Sequence, residues 1–316
     1  MLRIMGMFVA LAILALGVAL ALSATQRRHG PDYQKIAQWG TKGAAEGQFA
    51  DPTGIAVRKG FVYVADARNS RIQIFTPQGQ FVDRFPKADK AATEPELGRP
   101  MNLDIAGDTL LVPDYQNDKI LIYDLQGHFL RAFGEAGETE GTLSAPVSAV
   151  ALPEKSIIVT DFYGKRVQRF DEKGAWQGPF ETSGARHYIY PSDLAARSDG
   201  GLVVAEGYAH RFHVFDAAHR HIGTFGGFHG IRLPGMTFNG WFKTLSAIAL
   251  DEQVRVFATD FYNGRVQIFD KEGRFVSNFG KGQLLRPFGI ALDEAGDVYV
   301  VDNGANNVTV WRAKGQ

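Results

Sequence analysis

The chain contains no cysteine among its 316 residues. A disulfide framework, a thiolate metal site and a cysteine nucleophile are therefore all excluded, as is a lipid anchor on a cysteine. Net charge is missing too, since 34 Lys+Arg stand against 34 Asp+Glu. The global basic charge that draws proteins to nucleic acid or to anionic membrane surfaces is absent, and only local patches remain open. Proline is modest at 13 residues and glycine stands at 36. Together they fall short of disordered or collagen-like composition. No GxSxG, HExxH or phosphate-binding glycine loop occurs.

What is present begins with an apolar run. Ile4 to Ala24 is 21 residues without a charge. A membrane-spanning helix needs about 20 such residues, whereas the apolar region of a secretory signal is roughly 7–15. The run ends in Ala19-Leu20-Ala21-Leu22-Ser23-Ala24, which has the small-residue spacing of a cleavage site. Length favours an uncleaved anchor, and the small residues favour cleavage. Arg3 precedes the run, while Arg27 and Arg28 follow it. That count alone puts the following domain in the cytoplasm, yet long domains translocate largely regardless of flanking charge. We therefore expect residues 1–30 to be an N-terminal hydrophobic helix, either membrane anchor or signal peptide. The expected location is extracytoplasmic, periplasmic or extracellular, and secreted if the segment is cleaved. A domain tethered to the inner membrane face is the alternative.

Residues 31–316 repeat. A Pro opens an apolar strand, a second strand ends in an acid, a short loop follows, and a third strand ends in an aromatic. Pro52-Thr-Gly-Ile-Ala-Val57 leads to Phe61-Val-Tyr-Val-Ala-Asp66 and Arg71-Ile-Gln-Ile-Phe75. The corresponding acids are Asp66, Asp114, Asp161, Glu206, Asp260 and Asp302, about 47 residues apart. A fourth strand follows each turn, as in Gly273-Arg-Phe-Val-Ser-Asn-Phe279. Four short strands per repeat of this length predict an all-β fold, a β-propeller of six blades. The last unit stops at Trp311 before its fourth strand, and Tyr33-Gln-Lys-Ile-Ala-Gln-Trp39 matches the missing piece. The N-terminal strand is predicted to complete the last blade, which removes the open sheet edges.

The phrases Gly54-Ile-Ala-Val57, Val62-Tyr-Val-Ala-Asp66 and Asn69-Ser-Arg71-Ile-Gln-Ile-Phe75 resemble the NHL repeat, as does Asp260-Phe-Tyr-Asn-Gly-Arg-Val-Gln-Ile-Phe269. The resemblance runs through the chain from about residue 33 and implies a β-propeller, commonly six-bladed. It implies no single function, because the family includes RNA-binding and protein-binding domains, sensor domains and a lyase.

Antiparallel order places the loops leading into first strands and the loops joining second to third strands on one face. There Tyr115, Tyr163, Tyr208 and Tyr262 follow the acids of four consecutive blades. An arc of aromatic rings suits a peptide, protein or small ligand. The long connection from Gly226 to Leu245 adds Trp241 and Phe242, and the first strands add Asn102 and Asp193 near the axis. These eight residues form the candidate binding set. The recurring pairs Asp66 with Arg71, Asp161 with Arg166 and Asp260 with Arg265 are read as structural ion pairs rather than a basic rim.

Enzymatic function is the alternative. Peptidyl-hydroxyglycine lyases, which share this repeat, bind zinc through His placed directly after the blade Pro. Those places hold Thr53, Met101, Val147, Ser192 and Phe288 here. Lactonase-like propellers hold calcium at the channel mouth, where Asn102 and Asp193 supply part of such a set. His187, His210 and His229 fall on the same face as a candidate metal group. The sequence requires no cofactor, with zinc and calcium as the ions to consider. It points to partners other than nucleic acid, with membrane contact through the N-terminal helix. No catalytic residue is singled out.

Overall fold

The computed structural model describes residues 30–87, 94–180, 188–227 and 238–315. Each repeat acid ends the second strand of a four-stranded antiparallel sheet, and there are six such sheets. The first blade is Pro52–Arg58, Phe61–Asp66, Arg71–Phe75 and Phe81–Phe85, paired in that order. The first strands of the next four blades are Asp104–Ala106, Pro146–Ala151, Pro191–Ala196 and Leu245–Leu250. The sixth blade is Pro287–Leu292, Val298–Asp302, Asn307–Ala313 and, from the other end of the chain, Tyr33–Trp39. Tyr33 faces Ala313 and Trp39 faces Val308, so the N-terminal strand closes the ring. A two-residue parallel ladder, Thr41–Lys42 with Gln48–Phe49, stands beside the six blades.

Alternation sets where the core lies. Apolar residues on both faces of the middle strands pack against neighbouring blades, and this yields six clusters, one between each pair of blades around the ring. Tyr63, Phe85 and Tyr123 join the first blade to the second, and Phe257, Phe279 and Trp311 join the fifth to the sixth. A fully buried side chain of this size contributes about 1.5–3 kcal/mol. The third-to-fourth strand pairing slips at the aromatic that ends the third strand, for example between Ile74 and Phe75 and between Ile268 and Phe269. Such bulges increase local twist, which blades fanned around an axis need.

Glycine matters most where inner strands touch. A Cβ on Gly54 would lie 2.1 Å from the Met101 carbonyl oxygen, and one on Gly289 would lie 2.3 Å from that of Thr53. Blades one, two and six therefore approach more closely at the axis than any larger residue permits. A second recurrence was not legible in composition. The residue before every third strand is left-handed: Ser70, Asp118, Lys165, His210, Gly264 and Asn306 all have φ between 52° and 58°.

The predicted N-terminal helix lies outside the described residues. Among the described residues, no helix is long and apolar enough to cross a membrane.

Candidate binding face

The acidic residues anchor the loops of this face. Arg71 Nε donates to Asp66 at 2.8 Å, Arg166 Nε to Asp161 at 2.7 Å and Arg265 Nε to Asp260 at 2.8 Å. Arg211 makes the same contact with Glu206. A Gln two residues further on reaches the same carboxylate from Gln73, Gln168 and Gln267, and His213 replaces it in the fourth blade. Each cluster then latches the loop leading into its blade. Arg265 and Gln267 both donate to the Trp241 carbonyl, and Arg71 and Gln73 to that of Gln48. The acids are wholly buried, Arg71 and Arg265 nearly so, and Arg166 and Arg211 partly. Burial leaves the Asp161 and Asp260 carboxyls raised above the usual range, with their arginines offsetting part of that rise. These arginines hold loops, and they are not a basic rim for acidic ligands.

With those charges tied up, the exposed character of the face is aromatic. Tyr115 and Tyr163 hydroxyls are 2.8 Å apart and link blades two and three. Phe162 packs on Tyr190 at 4.9 Å and on Tyr208 at 6.1 Å, and Tyr190 packs edge-on against Tyr208 at 5.2 Å. Lys165 Nζ stands 5.1 Å from the Tyr190 ring centre. Burial first, then Tyr163, pushes the Tyr115 phenol up to about 12, so it remains a hydrogen-bonding hydroxyl. Inside this arc lies a cavity of about 450 Å³, lined by Tyr115, Phe162, Tyr163, Tyr208, Met101 and Phe288, with Arg99 and Ser192 among its polar groups.

The structure sorts the eight expected residues into three places. Tyr115, Tyr163 and Tyr208 line the cavity. Tyr262 stands exposed beside the fifth blade, packed on Phe261 at 4.8 Å, and is absent from the cavity wall. Phe242 is a core residue. It is 7% exposed and packs against Phe212 and Phe269 between blades four and five, which removes it from the surface. Trp241 packs on Phe238, also outside the cavity. Asn102 and Asp193 are buried and line the central channel, outside the aromatic cavity. Tyr190 joins the arc although sequence reading passed over it. It directly precedes the fourth-blade Pro, outside the acid loop that drew attention to the other tyrosines.

Of the candidate histidine group only His210 lies among the described residues; His187 and His229 lie outside them. His210 is the left-handed residue of the fourth blade, and its Nδ1 accepts the Thr244 N–H at 3.0 Å. Asp118 does the same for Ala145 and Asn306 for Asp51. Thr244, Ala145 and Asp51 are themselves left-handed residues ahead of the next blade. His210 is thus one of three inter-blade clasps, with the nitrogen nearest its backbone already used. Among the described residues, no group of three or more His, Asp or Glu is placed to hold a metal. Of the two oxygen-bearing residues considered for calcium, Asp193 Oδ2 accepts the Ile248 N–H at 2.8 Å while its carboxyl also meets Ser148 and Asn102.

Comparison with known proteins agrees with this architecture. The family model for the NHL repeat matches residues 49–75, the loop and first three strands of the first blade. The chain is thus a six-bladed β-propeller with an NHL repeat in its first blade. It is 27% identical over 151 residues to the protein brain tumor of Drosophila melanogaster, a match spanning 46% of this chain and 13% of that much longer protein. Among solved structures it is similar to virginiamycin B lyase from Staphylococcus aureus, with 17% identity, a TM-score of 0.57, and 89% and 85% of the two chains covered. It is also similar to a chain of a nidogen–laminin complex, with 16% identity, a TM-score of 0.58, and 83% and 98% covered. At these identities the structural likeness speaks for the fold.

Proposed function

We propose that this protein is an exported, membrane-anchored recognition domain that binds a polypeptide segment in the aromatic cavity of blades two to four. The observation that carries this reading is the contiguous arc Tyr115–Tyr163–Phe162–Tyr190–Tyr208, in which Tyr163 is 57% and Tyr208 is 55% exposed. Large exposed rings held in place by their neighbours give contact area at low entropic cost, and tyrosine adds a hydroxyl for backbone groups of a bound chain. Arg99, Ser192 and Ser246 supply further polar groups to the cavity wall.

The anchor fits this orientation. The chain joins the propeller at Tyr33, which pairs with Ala313 at the end of the blade remote from the acid loops. An apolar segment before residue 30 would hold the opposite face toward a bilayer and leave the aromatic cavity pointing away. A metal-dependent lyase or hydrolase finds no comparable support, because Thr53, Met101, Val147, Ser192 and Phe288 stand where the lyase resemblance requires His.

A displayed library of random peptides, panned against the solubilised full chain, tests the proposal. Enriched peptides should bind at least tenfold more weakly to a Tyr163→Ala/Tyr208→Ala double variant whose thermal midpoint is unchanged. Equal binding to both proteins would move the site elsewhere.

A further inference from the structure

The fourth blade departs from the repeat at three positions, and the three lie together. Glu206 stands where the other blades carry Asp66, Asp114, Asp161, Asp260 and Asp302. His213 stands where blades one, three and five place Gln73, Gln168 and Gln267. His221 opens the outer strand, His221–Gly226, and faces Phe215. That position is aromatic in four other blades, as Phe81, Phe129, Trp176 and Phe275. Blade closure does not call for these histidines, because the neighbouring blades close with glutamine and an aromatic ring.

Strand geometry brings both imidazoles to one side of the sheet. Thr224 lies directly opposite His213, and Ile222 is the extra residue of a bulge between His221 and Gly223. The bulge puts His221 on the same face as Thr224, three residues on, where strict alternation would turn it away. Three atoms then converge. Thr224 Oγ1 is 2.9 Å from His213 Nδ1 and 3.0 Å from His221 Nε2, and the two nitrogens are 3.5 Å apart. Tetrahedral zinc holds ligand atoms at about 2.0–2.1 Å, which sets them about 3.3 Å from one another. The triangle has the size of one face of that tetrahedron.

The nitrogens are also prepared for a cation. His213 Nε2 lies 2.8 Å from Glu206 Oε2. Burial opposes ionisation of Glu206, but His213 and Arg211 together hold its carboxyl below the usual range, so it accepts. The neutral His213 ring therefore carries its proton on Nε2 and its lone pair on Nδ1, toward Thr224 and His221. A carboxylate behind the imidazole is the usual outer partner of a metal-bound histidine. Burial, and then His213, lower the pKa of His221, which favours its neutral ring. Tyr188 stands edge-on to the His213 ring at 5.8 Å, and Phe215 lies 5.5 Å from that of His221. Thr224 is exposed, so the group opens to water at the outer edge of the blade.

We propose that the outer edge of the fourth blade binds one divalent transition metal ion of the imidazole-preferring kind, held between His213 Nδ1 and His221 Nε2. Zinc, nickel and copper suit such ligands, whereas magnesium and calcium take oxygen. Thr224 Oγ1 and water complete the coordination. Two imidazoles are fewer strong ligands than zinc sites usually carry, so the affinity is micromolar and the ion clamps the outer strand to the third. The site lies outside the aromatic cavity and the channel, and it does not depend on the function proposed above.

Zinc chloride is the probe, with magnesium chloride as the other arm. Calorimetry on the solubilised full chain should show saturable zinc binding, and zinc should raise the thermal midpoint. His213→Gln supplies the residue that three other blades hold there, and His221→Phe supplies their aromatic ring. Each should weaken zinc binding at least tenfold and abolish the zinc-dependent rise in midpoint, measured against its own metal-free midpoint. His128→Ala, which removes an exposed histidine of the second blade, should change neither. In unaltered protein with labelled histidine rings, zinc should shift two of the eight ring signals, a readout that needs no variant. Equal zinc binding in His213→Gln or His221→Phe, loss of binding in His128→Ala, an equal effect of magnesium, or no shifted pair of ring signals would each overturn the proposal.

Discussion

Arg265 Nε donates to Asp260 Oδ2 at 2.8 Å, with both side chains buried. The pair is one of four around the ring, and it decides what the face can bind. Removing one partner of a buried pair leaves an uncompensated charge and typically costs about 3–5 kcal/mol. Arg265→Ala should lose stability in that range, measured by urea unfolding, because the Phe238 carbonyl also loses a donor and the Trp241 carbonyl is left with Gln267 alone. Arg166→Ala should cost less, since Arg166 is more exposed. A free basic rim would predict no stability change in either variant.

Much of this was legible in the sequence, and the reasons are physical. Blade number, strand order and ring closure follow from a repeat in which each unit must bury its faces on its neighbours. The acid–arginine pairs were readable as structural because they recur in four of the six blades. Side-chain destination was not readable within the Gly226–Leu245 connection. Phe242 looks like Trp241 in composition, yet one is core and the other is held at the loop by its carbonyl. His210 was equally opaque. Its role depends on a left-handed backbone and on Thr244, thirty-four residues away in sequence. Asn102 and Asp193 are readable as polar residues near the axis, but only the structure shows that they line the channel and not the aromatic cavity.

Phe242 provides the sharpest correction to test. A phenylalanine packed between Phe212 and Phe269 contributes chiefly to the joint between blades four and five. Phe242→Ala should destabilise by about 3–5 kcal/mol, seen as a lowered urea midpoint. Peptide affinity, measured under conditions where the variant is folded, should be unchanged. An unaltered midpoint would return Phe242 to the surface.

The tyrosines separate in the same way. Tyr208→Ala and Tyr163→Ala remove half-exposed rings from the cavity wall, and each should weaken peptide binding while shifting stability by no more than about 0.5 kcal/mol. Tyr262→Ala should do neither, because that ring leans on Phe261 and faces Lys243 across the fifth blade instead. Ranking the three variants in one peptide-binding assay distinguishes a compact cavity from an arc spread over four blades. Equal losses at all three positions would support the wider arc.

The channel acids give stability a direction in pH. Burial holds the Asp104 carboxyl up at about 6 and the Asp193 carboxyl up at about 7, against about 3.9 for an unperturbed Asp. The folded protein therefore keeps protons that the unfolded chain releases. The stability tied to these protons is fully present below about pH 4 and is lost as pH rises through about 6 for Asp104 and about 7 for Asp193. Each group sets a slope of at most about 1.4 kcal/mol per pH unit within its window. His221 tilts the other way, since burial and the neighbouring His213 lower its pKa, and it loses stability as pH falls below its ordinary range. Comparing variants isolates the carboxyl. The urea midpoint of Asp104→Asn relative to the unaltered protein should rise between pH 4 and pH 6.5 and level off above. A flat difference across that range would mean that Asp104 is ionised in the channel and already has a cation beside it.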